Sequence, residues 1–338
     1  MARPVRDLLW LVLLPASWIY SLGVNITLRL RKRNDPGLFV ISVGNIHLGG
    51  TGKTPVVIQL ANHLASKNPV ILSRGYKSQS TKIGVQLDRA SAAGPRQFGD
   101  EPWVISHSTK SDVYVGANRF DLIRKYNLAN RYQVAILDDG FQHVQLERSM
   151  NLLILPGDQS PWEMACVPLG DLREGLNSIK RASLILITCV HPDSRWIRDW
   201  KSLAGQLAPH APCFVGMRKI ISVLSEAGER VSLDKKKFGA FCGIGRPERF
   251  FEDLSQWGPI EVFKTFRDHH AYTKSEIEEL IKTAKERAVE FFVTTEKDFF
   301  KVKDIFREFN FPLRVAHAEY ELPKEFWETV DIRMRQAC

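Results

Sequence analysis

The chain opens on its longest apolar run. From Leu8 to Ile26 the residues LLWLVLLPASWIYSLGVNI carry no charge. At about 1.5 Å per helical residue, such a run just reaches across a hydrocarbon core of about 30 Å. Arg3 and Arg6 precede it, and Arg29, Arg31, Lys32 and Arg33 follow it. Three readings compete: a cleaved signal peptide, a buried core helix, and a membrane anchor that spans the bilayer or lies in its interface. The run is long for a signal peptide, and Pro15 interrupts it. Trp10, Trp18 and Tyr20 suit the headgroup zone, and the basic cluster suits anionic lipid, so the anchor is the reading carried forward.

Beyond it, short β-rich runs alternate with helical segments. Strands are expected at Leu38 to Val43, Val70 to Ser73, Val113 to Val115, Tyr132 to Leu137, Leu152 to Leu155 and Leu184 to Thr188. A helix is expected over Pro55 to Ser66, and a loop containing glycine and serine over Tyr76 to Gly99. This alternation predicts a parallel sheet covered on both faces. Between Cys213 and Lys237 the pattern changes. Lys219 to Leu224 and Arg230 to Leu233 flank Ser225-Glu226-Ala227-Gly228-Glu229, a β-hairpin with a five-residue turn. It reads as an inter-domain connection. A second α/β unit then starts at Phe238, with strands near Ala240, Val262 and Phe291. A helix starts near Thr273, where Thr273-x-x-Glu276 and Ser275-x-x-Glu278 both fit a capping box.

A length of 338 residues is compatible with two domains. The segmentation expected is an anchoring helix at 1–35, a first domain at 36–212, the hairpin at 213–237 and a second domain at 238–338. The net charge of +9 suits a phosphate-rich partner: nucleic acid, anionic lipid or nucleotide. No zinc-finger spacing or aromatic RNA-binding motif supports nucleic acid. The five cysteines are odd in number, scattered and never spaced C-x-x-C. They argue against a disulfide framework or zinc site and fit a reducing compartment.

The strongest chemical signal is Gly49-Gly50-Thr51-Gly52-Lys53-Thr54, set between an expected strand and an expected helix. Glycines let backbone N–H groups face phosphate oxygens, and the helix aims its positive end at the same anion. Pro55 sits in the first turn, where its missing N–H costs little. Lys53 is expected on the β- and γ-phosphates and the Thr54 hydroxyl on Mg²⁺, with His47 and Leu48 lining the same loop. His47 stands where the phosphate-loop pattern has glycine. A metal-holding partner is offered by Val134-Ala135-Ile136-Leu137, which delivers Asp138 and Asp139 to a strand end; the alternative is an ordinary acidic turn.

Further candidates are weaker one by one. Asp100 and Glu101, in Gly99-Asp100-Glu101-Pro102, can orient or deprotonate a hydroxyl, or form a solvated turn. Asp268-His269-His270 is a base with its orienter, a metal site or a polar loop. His143 lies near the two aspartates. Arg74, Arg119 and Arg173 beside Glu174 can clamp anions.

Together these segments resemble the tetraacyldisaccharide 4′-kinase family. SVGNIHLGGTGKTP, SRGYK, GDEP, LDDGFQH, PLGDLREG, CGIGRPERF, FRDHHAYT and TTEKDFFK follow in family order from about Phe39 to Lys301. The resemblance implies two α/β/α domains, the first like P-loop NTPases and the second smaller, joined by a β-linker with the site in the cleft between them. It implies ATP, Mg²⁺ and transfer of the γ-phosphate to the 4′-hydroxyl of an acylated glucosamine disaccharide 1-phosphate, giving lipid IV-A. It makes Asp100 and His269 an acid–base pair and gives nucleotide and metal to Lys53, Thr54, Asp138 and Asp139. Glu101, Arg119, His143, Arg173 and Glu174 become second-tier site residues. It places the protein on the cytoplasmic face of a bacterial inner membrane, against an anionic surface, with no nucleic acid and no obligate protein partner. A membrane-associated regulatory ATPase is the main rival, but its signature lysine before the glycine pair is here Leu48. A GTP-binding switch would need Asn-Lys-x-Asp, and Glu296-Lys297-Asp298 lacks the spacer.

Overall fold

The fold is a computed structural model that describes residues 3–336 except 49–51, 77, 192, 234–235, 246 and 269. The chain divides into two compact units. The first holds Met1–Ala92, Gln97–Met217 and Tyr320–Cys338, and the second Ala93–Arg96 and Arg218–Glu319.

In the first unit the helix α1 (Arg3–Leu30) leads to β1 (Phe39–Asn45), α2 (Lys53–His63) and β2 (Pro69–Ser73). Next come α3 (Ser80–Ile83), β3 (Val85–Gln86), α4 (Gly94–Phe98), whose first three residues belong to the second unit, and α5 (Asp100–Ser108). The region expected as one loop from Tyr76 to Gly99 is therefore broken by two helical turns and a short strand, pieces too brief to show periodicity. β4 (Asp112–Val115), α6 (Arg119–Lys125), β5 (Val134–Asp138), β6 (Met150–Pro156), β7 (Leu184–Cys189) and α7 (Trp196–Leu207) follow. The sheet order β7-β6-β1-β5-β2-β4-β3 is parallel except for β3. β1 is buried along its whole length because both faces are covered. On one side Val40, Leu72, Tyr114 and Leu137 pack with Leu122 and Ile123 of α6, while β6 and β7 pack Leu153 and Ile187 with Trp200 of α7. Each such side chain contributes roughly 1.5–3 kcal/mol. The chain steps from β1 toward β2, then returns past β1 to β6, so the order switches at the C-terminal end of β1, where open α/β sheets bind ligands.

β8 (Cys213–Leu224) pairs with β7 through Cys213 to Met217. It is longer than the expected hairpin arm. The turn after it closes, with Ser225 N–H donating to the Glu229 carbonyl, but the second arm forms only an isolated bridge at Arg230 rather than a strand. The second unit holds β9 (Phe238–Cys242), α8 (Pro247–Ser255), β10 (Ile260–Thr265), α9 (Lys274–Glu286), β11 (Phe291–Thr295), α10 (Glu296–Glu308) and most of β12 (Leu313–Glu321). Their order β10-β9-β11-β12 is parallel. Phe241 is ringed by Phe266, Tyr272, Phe292 and Phe306, an aromatic core. Thr273 caps α9 in a full capping box with Glu276, so Ser275 lies inside the helix. The last helix, α11 (Lys324–Gln336), belongs to the first unit.

Among the described residues no helix is long and apolar enough to cross a membrane, so the spanning form of the anchor is not supported. The two faces of α1 differ. Ser17 is buried and its Oγ donates to the Cys166 carbonyl at 2.7 Å. Trp18, Ile19, Leu22, Ile26 and Leu30 face outward, Trp18 at 71% exposure.

Candidate active site

The site grows from the C-terminal ends of β1, β2 and β5. β1 approaches the turn after β5 because Gly44 has no side chain: a Cβ there would lie 2.6 Å from the Phe141 nitrogen. Residues 49–51, half of the glycine loop, lie outside the described residues. Gly52 holds a left-handed φ of 79° and caps α2 without any side-chain hydrogen bond, which leaves the helix start to an incoming anion. The helix begins at Lys53, ahead of Pro55, and buries Lys53 and Thr54 in its first turn. His47 is also buried, paired along the backbone with Leu172 and 3.7 Å from Asp171. Its ring nitrogens have no hydrogen-bond partner. Leu48 is exposed, and its N–H donates to the Asp171 carbonyl.

Register sets Val43 of β1 beside Asp138 of β5. Asp138 is 1% exposed; one oxygen accepts from Ser73 Oγ at 2.7 Å and the other, Oδ1, has no hydrogen-bond partner. Burial, then the charge of Glu101, push its carboxyl up to about 7 against the Ser73 bond. Asp139 next to it is the opposite case. It adopts a left-handed φ of 53°, with Lys53 Nζ 3.4 Å from Oδ1 and Arg173 Nη1 2.8 Å from Oδ2. Burial alone would raise its pKa, but Lys53 and Arg173 prevail and hold it down at about 2. Two adjacent carboxylates thus stand in different states, one fully ionised and paired, one buried with an unused acceptor.

Arg119, at the start of α6, donates to the carbonyls of Ala117 and Asp139 at 2.8 and 3.1 Å. Burial lowers its pKa to about 10, which leaves it cationic at neutral pH. His143 N–H closes the turn onto the Gly140 carbonyl at 2.9 Å. Burial and then the Arg119 and Arg148 charges push its imidazole down to about 3, so it is neutral, and Nε2 has no hydrogen-bond partner. Arg74 is exposed just after β2, and its charge reaches Arg119. Asp100 and Glu101 open α5 behind Gly99, where the helix dipole favours carboxylates. Glu174 is drawn into the scaffold: it is buried, meets Arg181 at 2.7 Å and accepts from Gln142 Nε2 at 2.9 Å. The structure therefore gathers Lys53, Thr54, Arg119, Asp138, Asp139, His143 and Arg173 with Glu101. Ser73, Gln142 and Arg181 were missed. The first two lie inside the quoted SRGYK and LDDGFQH segments, and Arg181 has no local signal.

In the second unit Asp268 is exposed. His269 lies outside the described residues. His270 is tied to Glu276 at 3.0 Å and stacks on Phe266, a structural arrangement.

Among the described residues no group of three or more His, Cys, Asp and Glu can hold a metal alone. The donors present still fit Mg²⁺, which takes one or two carboxylates and fills its shell with waters and phosphate oxygens. Asp138 offers an unpartnered buried oxygen, and Thr54 a hydroxyl at the helix start.

Comparisons with known proteins identify the family. A family pattern described as tetraacyldisaccharide-1-P 4′-kinase matches residues 9–335. A tetraacyldisaccharide 4′-kinase of Desulfotalea psychrophila is 33% identical over 343 residues, covering 96% of this chain and 97% of its own. One from Halothermothrix orenii is 34% identical over 295 residues, covering 81% and 77%. The crystal structure of the "apo" form of the Aquifex aeolicus protein in complex with ATP superposes with a TM-score of 0.76 at 26% identity, over 98% of this chain and 99% of that one.

Proposed function

The chain belongs to the tetraacyldisaccharide-1-P 4′-kinase family, and from that premise we propose that the Lys53–Asp139 cluster carries its phosphoryl transfer. The reaction takes the γ-phosphate of ATP to the 4′-hydroxyl of a tetraacyl glucosamine disaccharide 1-phosphate and yields lipid IV-A in lipid A biosynthesis. The bond between the γ-phosphorus and the bridging oxygen of ADP breaks, a 4′-oxygen–phosphorus bond forms, and the hydroxyl proton leaves to a base.

The observation that carries the assignment is the Lys53–Asp139 contact of 3.4 Å at the uncapped start of α2. Lys53 is buried and held by the ionised Asp139 carboxylate next to the phosphate cradle. There it stabilises charge on the transferring group, the main source of catalysis in phosphoryl transfer. Asp138 and Thr54 would hold Mg²⁺, which when bound neutralises phosphate charge. Arg119 and Arg173 keep Asp139 fixed and add positive field. Asp100, in the first turn of α5, is our candidate for receiving the hydroxyl proton, with His269 as its partner and Glu101 and Arg74 beside the substrate path. His143, neutral, serves as a hydrogen-bonding group rather than a charge.

The amphipathic α1 supports an interfacial mode of attachment. Its outward Trp18, Ile19 and Leu22 enter the bilayer surface while Arg31, Lys32 and Arg33 meet anionic headgroups on the cytoplasmic face of the inner membrane. The test is transfer of radiolabelled γ-phosphate from ATP to purified disaccharide 1-phosphate in detergent micelles. Labelled lipid product is the expected outcome; release of inorganic phosphate without labelled lipid would return the regulatory-ATPase reading.

A further inference from the structure

The chain re-enters the first unit at Tyr320, some 270 residues beyond the phosphate loop. Its hydroxyl occupies the space a side chain on Gly52 would need: a Cβ on Gly52 would lie 1.8 Å from Tyr320 Oη and 2.7 Å from Cζ. Gly52 thus has two reasons to be glycine, its left-handed φ and this ring. Tyr320 is itself buried, at 5% exposure.

What fixes the ring there is α2, the helix that starts at the loop. Gln59 grips the Tyr320 backbone at two points: Nε2 donates to the Tyr320 carbonyl at 2.8 Å, and Oε1 accepts from the Tyr320 N–H at 3.3 Å. One turn on, His63 pairs with Asp331 at 2.9 Å and stacks on Trp327 at 4.5 Å, both from α11. Gly52, Gln59 and His63 are spaced seven and four apart and so form one stripe along α2. On β8, Gly216 makes room for the returning segment, since a Cβ there would lie 2.6 Å from Leu322 Cδ2. The segment from Tyr320 to α11 is a strap along the phosphate-loop helix, and its first residue touches the loop itself.

We infer that Tyr320 is a positioning residue of the phosphate loop, holding Gly52 in the conformation that presents its amides to the phosphates of ATP. The inference rests on the phosphate-loop reading of Gly49 to Thr54. The loop has no side-chain cap of its own at Gly52. A ring clamped to the same helix supplies the missing restraint, and its hydroxyl is the polar group seated against that glycine.

The test is calorimetric titration of the full-length protein with Mg-ATP, alongside KM for each substrate and the melting temperature. Tyr320→Phe, which keeps the ring and removes the hydroxyl, is expected to weaken ATP binding about tenfold. Tyr320→Ala should weaken it further, and Gln59→Leu, which frees the backbone, should act in the same direction. KM for the disaccharide 1-phosphate should stay within about twofold of wild type. ATP affinity unchanged in Tyr320→Phe and Gln59→Leu, or losses spread equally over both substrates, would overturn the proposal. Lys53→Ala in the same series separates the two levels. If it too binds ATP normally, the phosphate-loop reading has failed; if it alone loses ATP, only the role of Tyr320 has.

Discussion

Two strand ends, one in each unit, carry an aspartate just beyond the sheet and use it in different ways. In the first unit β5 ends in Asp138 and Asp139; in the second β11 ends in Thr295 and leads to Asp298 in the first turn of α10. Asp298 is wholly buried, and one oxygen accepts from the Gly243 N–H and the Thr295 hydroxyl, both at 2.8 Å. Its other oxygen faces Lys301 at 3.9 Å. Through Oδ2 the carboxylate ties α10 to the end of β9. Asp138, Asp139 and Asp298 each keep one buried oxygen without a hydrogen-bond partner, so the difference lies in the surroundings: Asp139 is bracketed by two cations from distant parts of the chain. Two cations fixed on one carboxylate beside the uncapped start of α2 mark the first junction as the one suited to an anionic ligand.

That contrast can be broken in order of effect. Lys53→Ala should lower kcat for phosphate transfer by at least about a thousandfold with little change in melting temperature, because it removes charge stabilisation in the transition state. Steady-state kinetics with ATP would show this, and near-wild-type turnover would remove the first junction from the chemistry. Next, Asp100→Ala and His269→Ala should each lower kcat by about a hundredfold or more with smaller changes in KM. The double variant should be little worse than the poorer single one, and strictly additive losses would separate the two residues. Asp298→Ala should act on stability instead. Leaving the Gly243 N–H and the Thr295 hydroxyl unpaired should cost about 2–4 kcal/mol in chemical denaturation. The smallest effect sharpens the reading of His270: Thr273→Ala, which opens the capping box next to the His270–Glu276 pair, should cost about 1 kcal/mol and leave kcat unchanged.

The first junction was legible in the sequence because its signals are local. GGTGKTP and the apolar run into Asp138 and Asp139 each need only neighbouring residues to be recognised. The buried strands β1, β2 and β4 to β7 of the first unit were legible to within about two residues because fully buried strands read as continuous apolar runs, whereas the hairpin arms after Cys213 were not. What the sequence hid depends on contacts across long separations. Nothing near Glu174 announces that Arg181 and Gln142 will take it into the scaffold, and nothing near Tyr320 points to Gly52. His269 and His270 are alike as letters, and only the bond from His270 to Glu276 tells its task. Asp298 sits in a motif as regular as that of Asp139, and what distinguishes them is the pair of distant cations, Lys53 and Arg173, that folding brings to Asp139. The N-terminal run was read correctly as helix, yet apolar count alone could not show that Ser17 would turn inward and leave one apolar face outside.

The most direct measurement pairs the two aspartates: transfer of γ-phosphate from ATP to the disaccharide 1-phosphate by Asp139→Asn and Asp298→Asn, each compared with its unfolding free energy. The account predicts that Asp139→Asn loses some stability, because Lys53 and Arg173 lose their partner, and about a thousandfold in kcat per folded molecule, while Asp298→Asn loses stability and keeps most of its turnover per folded molecule. Turnover surviving in Asp139→Asn, or lost in a stably folded Asp298→Asn, would contradict it.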